Sequence, residues 1–257
     1  MEEKDPSDIA STAQREQEFF DAGASRYARA RKWISRSIGA FDRSDDVHDY
    51  YNPQDKIVLD YGCGTGRFAI ELIRRGATRV TGIDISNRRV EAAAEKAEAE
   101  GVADRVNFLV ADAHDTRLPE HSFDLIIGSD ILHHLDLEAA AHEMRRLLKP
   151  NGAAVFIEPL AHHPLLRIGR RLTPSARTTD EHPLTTNDWA MLARTFPNFV
   201  HFEREFITVP LMPLNLFAPP GMQRRFAARL APLDDRLLER WPTLRKYARR
   251  TILIMRP

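Results

Sequence analysis

Apolar and polar positions follow different patterns in successive parts of the chain. From Glu16 to Ile38, apolar side chains recur at mixed three- and four-residue spacing, which predicts helices, whereas residues 1–16 are polar and are expected to be frayed. Between residues 56 and 158, short aliphatic runs alternate with helical segments. The predicted strands are 56–60, 79–84, 106–110, 123–128 and 153–158, and the predicted helices are 66–75, 87–100 and 137–148. This alternation is typical of an α/β fold.

Local signals support these boundaries. Ser86 suits the N-cap of the second helix, Gly101 follows the end of that helix, and Pro150 and Gly152 stop the third one. Right-handed crossovers between parallel strands give a Rossmann-like, doubly wound and mostly parallel sheet. Such sheets bind ligands at the carboxyl ends of their strands, near the topological switch point. Functional residues are therefore expected just after the predicted strands.

The pattern becomes irregular after Glu158. Prolines punctuate the stretch 159–247, which we interpret as a cap inserted on the sheet, and residues 248–255 predict a last strand that returns to it. The expected organisation is an N-terminal helical lid over residues 1–50, a ligand-binding Rossmann-like core over 51–160, and a substrate cap with the final sheet elements over 161–257.

Composition argues against several classes of partner. Lys+Arg and Asp+Glu both number 37, and a net charge of zero gives no overall attraction to nucleic acid. Cys63 is the single cysteine, so no internal disulfide is expected, which fits a reducing compartment. The polar N-terminus lacks an apolar signal core, and no segment reaches the roughly 20 apolar residues of a membrane span. A cytoplasmic protein is expected, with peripheral membrane contact and the oligomeric state left open.

Three glycines at alternate positions follow the first predicted strand. Gly62, Gly64 and Gly66 lack a Cβ atom, so the backbone can turn tightly and approach a ligand closely. The dinucleotide-binding fingerprint Gly-x-Gly-x-x-Gly would need glycine at the position that Arg67 occupies. The spacing therefore disfavours a nicotinamide-dependent dehydrogenase.

The segment from Val58 to Gly66 resembles the first motif of class I S-adenosylmethionine-dependent methyltransferases, and the resemblance covers roughly residues 55–160. It implies S-adenosyl-L-methionine as the cofactor and S-adenosyl-L-homocysteine as the product. In that family the acid of this motif lies near the methionine ammonium group, a role that falls here to Asp60. The glycines admit the methionine and ribose portion, and Cys63 between them is counted with the cofactor-binding residues.

Acidic residues after the next two strands complete the implied cofactor site. Asp84 ends the second strand, at the offset of roughly 20 residues expected for an acid that binds ribose hydroxyls, and Ile85 would flank the adenine. By the same resemblance, Asp112 and Ala113 would contact the adenine. The remaining implied contacts are Ser129 beside the methionine portion and Tyr27 as an aromatic lid residue.

Two histidines follow the fourth predicted strand, where the transferred methyl group should point. In similar small-molecule methyltransferases the stretch that holds His133 and His134 borders the substrate cavity, and histidine suits a general base at neutral pH. Glu158, at the end of the fifth strand, is a second candidate, as base or substrate anchor. A structural role for both histidines, with catalysis by proximity, stays open. No metal is expected, because the chain has neither a helical His-x-x-x-His pair nor a cysteine cluster.

The region after Glu158 offers candidate contacts to the methyl acceptor. The polar stretch 177–183 is typical of a substrate loop, with Arg177 and His182 as its candidate contacts. The apolar run 206–217 either forms the core of the cap or lines the acceptor site, in which case the acceptor has a lipophilic or aromatic part. Arginines between 224 and 250 make the C-terminal region basic, which suits solvated helix faces, an anionic acceptor or a membrane surface.

The leading interpretation is a biosynthetic enzyme that methylates a small molecule on oxygen, nitrogen or carbon. An RNA or protein methyltransferase is the first alternative. However, the sequence from Ser129 to Leu132 stands where many relatives that methylate amino groups have Asn/Asp-Pro-Pro-Tyr/Phe. A non-catalytic homologue that binds the cofactor is the second alternative. Analogy of fold does not identify the acceptor.

Overall fold

The computed structural model of the chain describes residues 6–21, 44–172, 181–210 and 220–257. The strands are β1 (Ile57–Tyr61), β2 (Arg79–Asp84), β3 (Val106–Val110), β4 (Phe123–Ser129), β5 (Leu148–Pro159), β6 (Asn198–Arg204) and β7 (Arg250–Arg256). The α-helices are α1 (Pro6–Asp21), α2 (Arg67–Arg74), α3 (Asn87–Ala99), α4 (Leu137–Leu147), α5 (Pro164–Leu172), α6 (Thr186–Thr195) and α7 (Pro220–Arg240). Short 3₁₀ helices cover Ser44–Tyr50, Leu132–His134 and Pro242–Tyr247.

Within the described ranges, the strands form one seven-stranded sheet in the order β3-β2-β1-β4-β5-β7-β6. The first five strands of this order run parallel, whereas β7 is antiparallel to both of its neighbours. The predicted α/β fold with a mostly parallel, Rossmann-like sheet is confirmed. Because the strand order reverses between β1 and β4, the carboxyl ends of these two strands are the expected ligand-binding edge.

The sheet is buried on both faces, and the side chains of β1 pack into a different core cluster on each face. Val58 belongs to one core cluster with Ile70 of α2, while Leu59 and Tyr61 belong to the opposite cluster with Phe156 of β5. Strands buried on both faces read as continuous apolar runs rather than as alternating ones, which is why β1 is recognisable in the sequence. Truncating a buried leucine such as Leu59 to alanine typically costs about 2–5 kcal/mol.

Local chemistry sets two helix starts near the ligand-binding edge, and the one at Ser86 was predicted from the sequence. Ser86 is the N-cap of α3, and its Oγ accepts a hydrogen bond from the backbone N–H of Arg89. Asp136 caps α4 in the same way, because its Oδ1 accepts from the N–H of Ala139 at 3.0 Å. Each cap satisfies one of the first backbone donors of its helix.

The N-terminal segment differs from expectation. Residues 6–21 form α1, so the prediction that residues 1–16 are frayed is wrong for the part that the structure describes. The helix is held by tertiary contacts: the Phe20 ring packs against the guanidinium of Arg89 and the ring of His134. Contacts of this kind are invisible in a polar sequence pattern, because they depend on residues more than 60 positions away.

Two strand assignments also change. β6 lies inside the stretch 159–247 that was interpreted wholly as a cap, and it joins the sheet as the antiparallel neighbour of β7. Its pattern is weak because it is an edge strand with alternating partial exposure. In addition, β5 begins at Leu148, so the turn predicted at 149–152 lies within the strand, and a register shift between Phe123 and Leu125 of β4 accommodates it.

Some predicted features fall outside the described residues. They are Tyr27, Arg177 and the part of the apolar run from 211 to 217. Among the residues that are described, no helix is both long and apolar enough to cross a membrane.

Candidate active site

The glycine loop connects β1 to α2 at the ligand-binding edge. Gly62, Gly64 and Gly66 all have positive φ angles, of 78°, 52° and 75°, a region that residues with a Cβ atom rarely adopt. A Cβ on Gly62 would lie 2.7 Å from a side-chain carbon of Ile131, whereas a Cβ on Gly64 would meet nothing within 4 Å. The loop is therefore packed from behind at Gly62 and open at Gly64, where a ligand can reach the backbone.

Asp84 joins the end of β2 to the glycine loop. Its Oδ2 accepts a hydrogen bond from the N–H of Gly64 at 2.9 Å, and its Oδ1 accepts from the N–H of Ser86 at 3.0 Å. The Arg89 guanidinium lies 3.7 Å from Oδ2. Each carboxylate oxygen has capacity for a further hydrogen bond, so this buried acid can accept two hydroxyl donors.

Asp60 is a buried acid whose Oδ2 has no hydrogen-bond partner among the described residues. Burial raises the pKa of Asp60 to about 7; the backbone N–H of Ala69 opposes this shift, and the charge of Asp84 adds to it. A buried carboxylate that lacks a partner is costly unless a ligand supplies one. An ammonium group is a suitable partner, so the residues present fit the amino-acid end of S-adenosylmethionine.

The loop after β3 is held by two residues that the sequence did not single out. Oδ1 of Asp112 accepts from both the backbone N–H and Nδ1 of His114, at 2.9 and 2.7 Å, while Nε2 of His114 accepts from the N–H of Asp136 at 2.9 Å. The Tyr61 hydroxyl donates to the carbonyl oxygen of Ala113. These bonds place Asp112 and Ala113 beside the edge where β1 and β2 end.

The other predicted cofactor residues have plainer surroundings. Ser129 ends β4, and its Oγ donates to Oδ2 of Asp130 at 3.3 Å. Ile85 is half-buried directly after Asp84. Cys63 is buried, and burial raises the pKa of its thiol far above the usual value. A thiol that does not ionise is a weak nucleophile, so Cys63 serves as a small apolar residue of the loop.

His133 and Glu158 form a buried pair on the other side of the same edge. Oε2 of Glu158 lies 2.7 Å from Nδ1 of His133, while Oε1 accepts from the backbone N–H groups of Ile131 and Leu132, both at 2.9 Å. The two backbone N–H groups thus fix Oε1 of the carboxylate, while Oε2 orients the imidazole. Nε2 of His133 is the ring nitrogen that remains for a substrate.

The environment of His133 changes its acidity. Burial acts to lower the pKa of His133. The hydrogen bond and negative charge of Glu158 act in the opposite direction, with smaller contributions from the charges of Asp130 and Glu181. The pKa of His133 therefore lies above its usual value.

His134 lies under α1 rather than in a solvent-filled groove. Its Nδ1 is 3.3 Å from Oε2 of Glu16, a buried carboxylate, and its ring is tilted against that of His133 with 4.2 Å between the centroids. His133, His134 and Glu181 each offer one potential ligand atom, and these atoms lie within 4.8 Å of one another. Among the described residues, this group has a spacing that a metal ion could accept.

Helix α1 also reaches the cofactor side of the site. The Ser86 hydroxyl donates to Oδ1 of Asp21, and the Arg88 backbone N–H is 3.4 Å from the same oxygen. Phe20 stacks on the Arg89 guanidinium at 3.7 Å. Glu16, Phe20 and Asp21 are therefore site residues that the sequence missed, because a polar helix gives no sign of what it covers.

The predicted acceptor loop is only partly brought to the site. The His182 backbone N–H donates to the carbonyl oxygen of His133 at 2.7 Å, so residues 181–182 lie beside the buried pair. Within the apolar run, Phe206 packs against the core, and its N–H donates to Asp234 of α7 at 2.9 Å. This contact favours the interpretation of the described part of the run as cap core.

A doubly wound parallel sheet, a glycine loop after β1 and acids after β2 and β3 form the arrangement typical of class I S-adenosylmethionine-dependent methyltransferases, and the matched part of this chain is similar to them. Residues 58–152 match the family described as a methyltransferase domain. The cofactor of this class is S-adenosylmethionine.

Relatives are found among proteins of different organisms. The ubiquinone/menaquinone biosynthesis C-methyltransferase UbiE of Geotalea daltonii is 36% identical over 146 residues, which are 55% of this chain and 62% of that protein. The sterol 24-C-methyltransferase ERG6B of Gibberella zeae is 36% identical over 121 residues, 44% of this chain and 32% of that protein. The chain therefore spans less than two thirds of the length of these relatives.

A solved structure shares the fold. The phosphoethanolamine N-methyltransferase 2 of Haemonchus contortus, in complex with S-adenosyl-L-methionine, superposes with a TM-score of 0.61 at 17% identity. The match covers 84% of this chain and 52% of that chain. At this identity, the likeness concerns the architecture of the sheet and its helices.

Proposed function

We propose that the protein transfers the methyl group of S-adenosyl-L-methionine to a small-molecule acceptor and releases S-adenosyl-L-homocysteine. One observation carries the proposal: Oδ2 of Asp60, which has no hydrogen-bond partner among the described residues, and the open backbone at Gly64 lie at the same sheet edge as the buried pair of His133 and Glu158. Cofactor-binding and proton-accepting groups therefore meet at the topological switch point of the sheet.

In this proposal, the chain holds the cofactor from the ends of four strands, β1 to β4. Asp60 binds the ammonium group, the glycine loop with Cys63 approaches the methionine and ribose, and Asp84 accepts the ribose hydroxyls. Ile85 and the loop of Asp112 and Ala113 would hold the adenine, and Ser129 would border the methionine portion. Helix α1 forms the lid, with Phe20 packed on the guanidinium of Arg89 beside the cofactor side of the site. Tyr27 is proposed as a further lid residue.

When bound, the sulfonium of S-adenosylmethionine would supply an electrophilic methyl group, and its sulfur would take the electron pair of the carbon–sulfur bond that breaks. The chain must then hold the acceptor atom in line, roughly 3–3.5 Å from that carbon. Nε2 of His133 accepts the acceptor's proton, and Glu158 orients the imidazole and stabilises the cation that forms. Glu158 is thus a positioning residue rather than the base.

His134 belongs to the same wall of the site. Oε2 of Glu16 of α1 lies 3.3 Å from its Nδ1, its ring is tilted against that of His133, and Glu181 lies near both rings. We assign His134 to orienting the acceptor. The residues from 161 onward contribute the cap, with Glu181 and His182 next to the acceptor.

A lipophilic or aromatic acceptor is supported by two relatives that act, by name, in quinone biosynthesis and on sterols, each 36% identical to this chain in the matched part. A net charge of zero supports a small molecule over RNA. The proposal for this chain therefore names a chemical class of acceptor.

Calorimetry and a methyl-transfer assay test the proposal. S-adenosylmethionine and S-adenosylhomocysteine should bind to the purified chain, and NAD should not. Radiolabelled methyl groups should appear on members of a panel of quinols, phenols and prenylated compounds, but not on RNA or on protein. Cofactor binding without transfer to any small molecule, or transfer to RNA or protein instead, would favour one of the two alternatives over the proposal. Failure to bind either sulfur compound would rule the proposal out.

A further inference from the structure

Helix α5 presents three large apolar side chains to solvent. Leu165, Ile168 and Leu172 are 48%, 55% and 75% exposed, and they account for three of the eight strongly exposed large apolar residues in the described ranges. Their spacing of three and four residues places them on one stripe of the helix. A continuous apolar stripe on so short a helix is unusual for a surface that meets only water.

The opposite side of the same helix is fixed to the protein. The Arg170 guanidinium donates to the carbonyl oxygens of Leu160 and Ala161, at 3.0 and 3.2 Å. Leu166, one turn earlier on the same side, is half-buried. Because these contacts hold the inner side of α5, the apolar stripe points away from the sheet and is available to a partner.

Positive charge surrounds the stripe. Arg167 and Arg171 are exposed and occupy the helix positions beside Ile168 and Leu172. Residues 159–179 contain four arginines and no aspartate or glutamate, although the whole chain has a net charge of zero. The helix therefore combines an apolar stripe with a local excess of cations, which is the composition of helices that lie in the headgroup region of anionic bilayers.

We propose that α5 docks the protein on an anionic membrane surface, with Leu165, Ile168 and Leu172 inserted among the acyl chains and the two arginines at the lipid phosphates. Attachment would be peripheral, since no helix of the described ranges spans a bilayer. The helix begins six residues after Glu158, at the edge of the sheet that holds the buried pair. Docking therefore brings the acceptor side of the site toward the bilayer. This last step, and it alone, rests on the proposed function.

Flotation of the full chain with vesicles tests the docking. Vesicles of phosphatidylcholine alone should bind the protein weakly. Vesicles in which about one lipid in three is anionic phosphatidylglycerol should bind it more strongly, and this binding should weaken as the salt concentration rises. The variants Ile168→Ser/Leu172→Ser and Arg167→Gln/Arg171→Gln should each weaken binding by about tenfold or more.

Matched variants provide the controls. Leu233→Ser/Trp241→Ser removes two apolar side chains of similar exposure, 51% and 52%, and Arg79→Gln/Arg105→Gln removes two exposed arginines at the opposite edge of the sheet. Both control variants should keep vesicle binding within about twofold. Loss of binding in a control as large as in an α5 variant would overturn the proposal, and so would an absence of vesicle binding, which would leave an acidic protein as the partner.

The readout separates this proposal from the proposed function. Vesicle binding is measured without cofactor or acceptor, and calorimetry of S-adenosylmethionine on the same variants shows that the site is intact. Vesicle binding by a chain that transfers no methyl group counts only against the proposed function. Methyl transfer by a chain that never binds vesicles counts only against the docking.

Discussion

Glu158 and His133 are 25 residues apart in the sequence, yet Oε2 of the first lies 2.7 Å from Nδ1 of the second. The carboxylate is buried and is also held by two backbone N–H groups after β4, so its position does not depend on the imidazole. A histidine fixed in this way presents one nitrogen in one orientation. The pair is therefore the most specific geometric feature on the acceptor side of the site.

Loss of the imidazole should affect turnover and spare the cofactor. We expect His133→Gln to lower kcat by about 10²–10⁴-fold, the range typical of general-base removal, while the Kd of S-adenosylmethionine stays within about twofold. His142→Gln, at an exposed histidine of α4, is the matched control and should behave as the wild type. An unchanged kcat in His133→Gln would remove this residue from the mechanism.

The pH dependence of kcat should follow the raised pKa of His133. Only the neutral imidazole accepts a proton, so the rate should rise with pH and reach half its maximum above 6.5, the ordinary value for histidine. Glu158→Gln keeps an oxygen for the backbone N–H groups but removes the negative charge. In that variant the rising limb should shift toward lower pH, with a reduced plateau. A limb that stays in place would show that another group titrates.

Cofactor affinity should depend on the ionisation of Asp60. Because its pKa is raised to about 7, the acid is largely neutral below that pH and charged above it. The affinity for S-adenosylmethionine, measured by calorimetry from pH 6 to pH 8.5, should therefore increase as pH rises through about 7. Asp60→Asn should bind more weakly at the upper end of this range and lose most of the increase. The same slope in both proteins would contradict a contact between Asp60 and the ammonium group.

Two glycine substitutions should separate ligand access from stability. Gly64→Ala meets open space, so the fold should lose only about 1–2 kcal/mol from the left-handed backbone, while cofactor affinity falls as the methyl group intrudes. Gly62→Ala adds a clash 2.7 Å from an Ile131 carbon and should lose more stability in urea unfolding. Equal losses of stability would show that the packing behind the loop adjusts.

Chelation tests whether the histidine cluster holds a metal. With His133 as a base, dialysis against EDTA should leave kcat unchanged within error. Loss of activity that Mn²⁺ or Zn²⁺ restores would instead make His133, His134 and Glu181 the metal ligands, since their candidate ligand atoms lie within 4.8 Å of one another. The base assignment would then be wrong.

Much of the core follows from local sequence. β2 and β3 have the predicted boundaries, and α3 begins after Ser86 as its capping chemistry requires. The glycine spacing, with Arg67 where the dinucleotide-binding fingerprint needs its third glycine, indicated the class of cofactor. These features depend on residues a few positions apart, so they can be predicted from the sequence without knowledge of the fold.

Other features depend on residues that are distant in the chain. The sequence marked His133 and Glu158 as separate candidates, and only the pairing of β4 with β5 makes one the orienting partner of the other. Likewise, the hydroxyl of Tyr61 reaches Ala113 across 52 residues, and α1 places Glu16 against His134. Polar residues give no periodic signal for such contacts.

The sequence by itself therefore determined the five parallel strands, the glycine loop and the class of cofactor, because these rest on short-range backbone preferences and on apolar periodicity. Tertiary structure alone decided that Oδ2 of Asp60 is buried without a hydrogen-bond partner among the described residues, that His133 has a raised pKa, and that α5 turns its apolar stripe outward. Burial, hydrogen-bond pairing and electrostatic environment arise only when distant segments meet, and no residue type or spacing specifies them in advance.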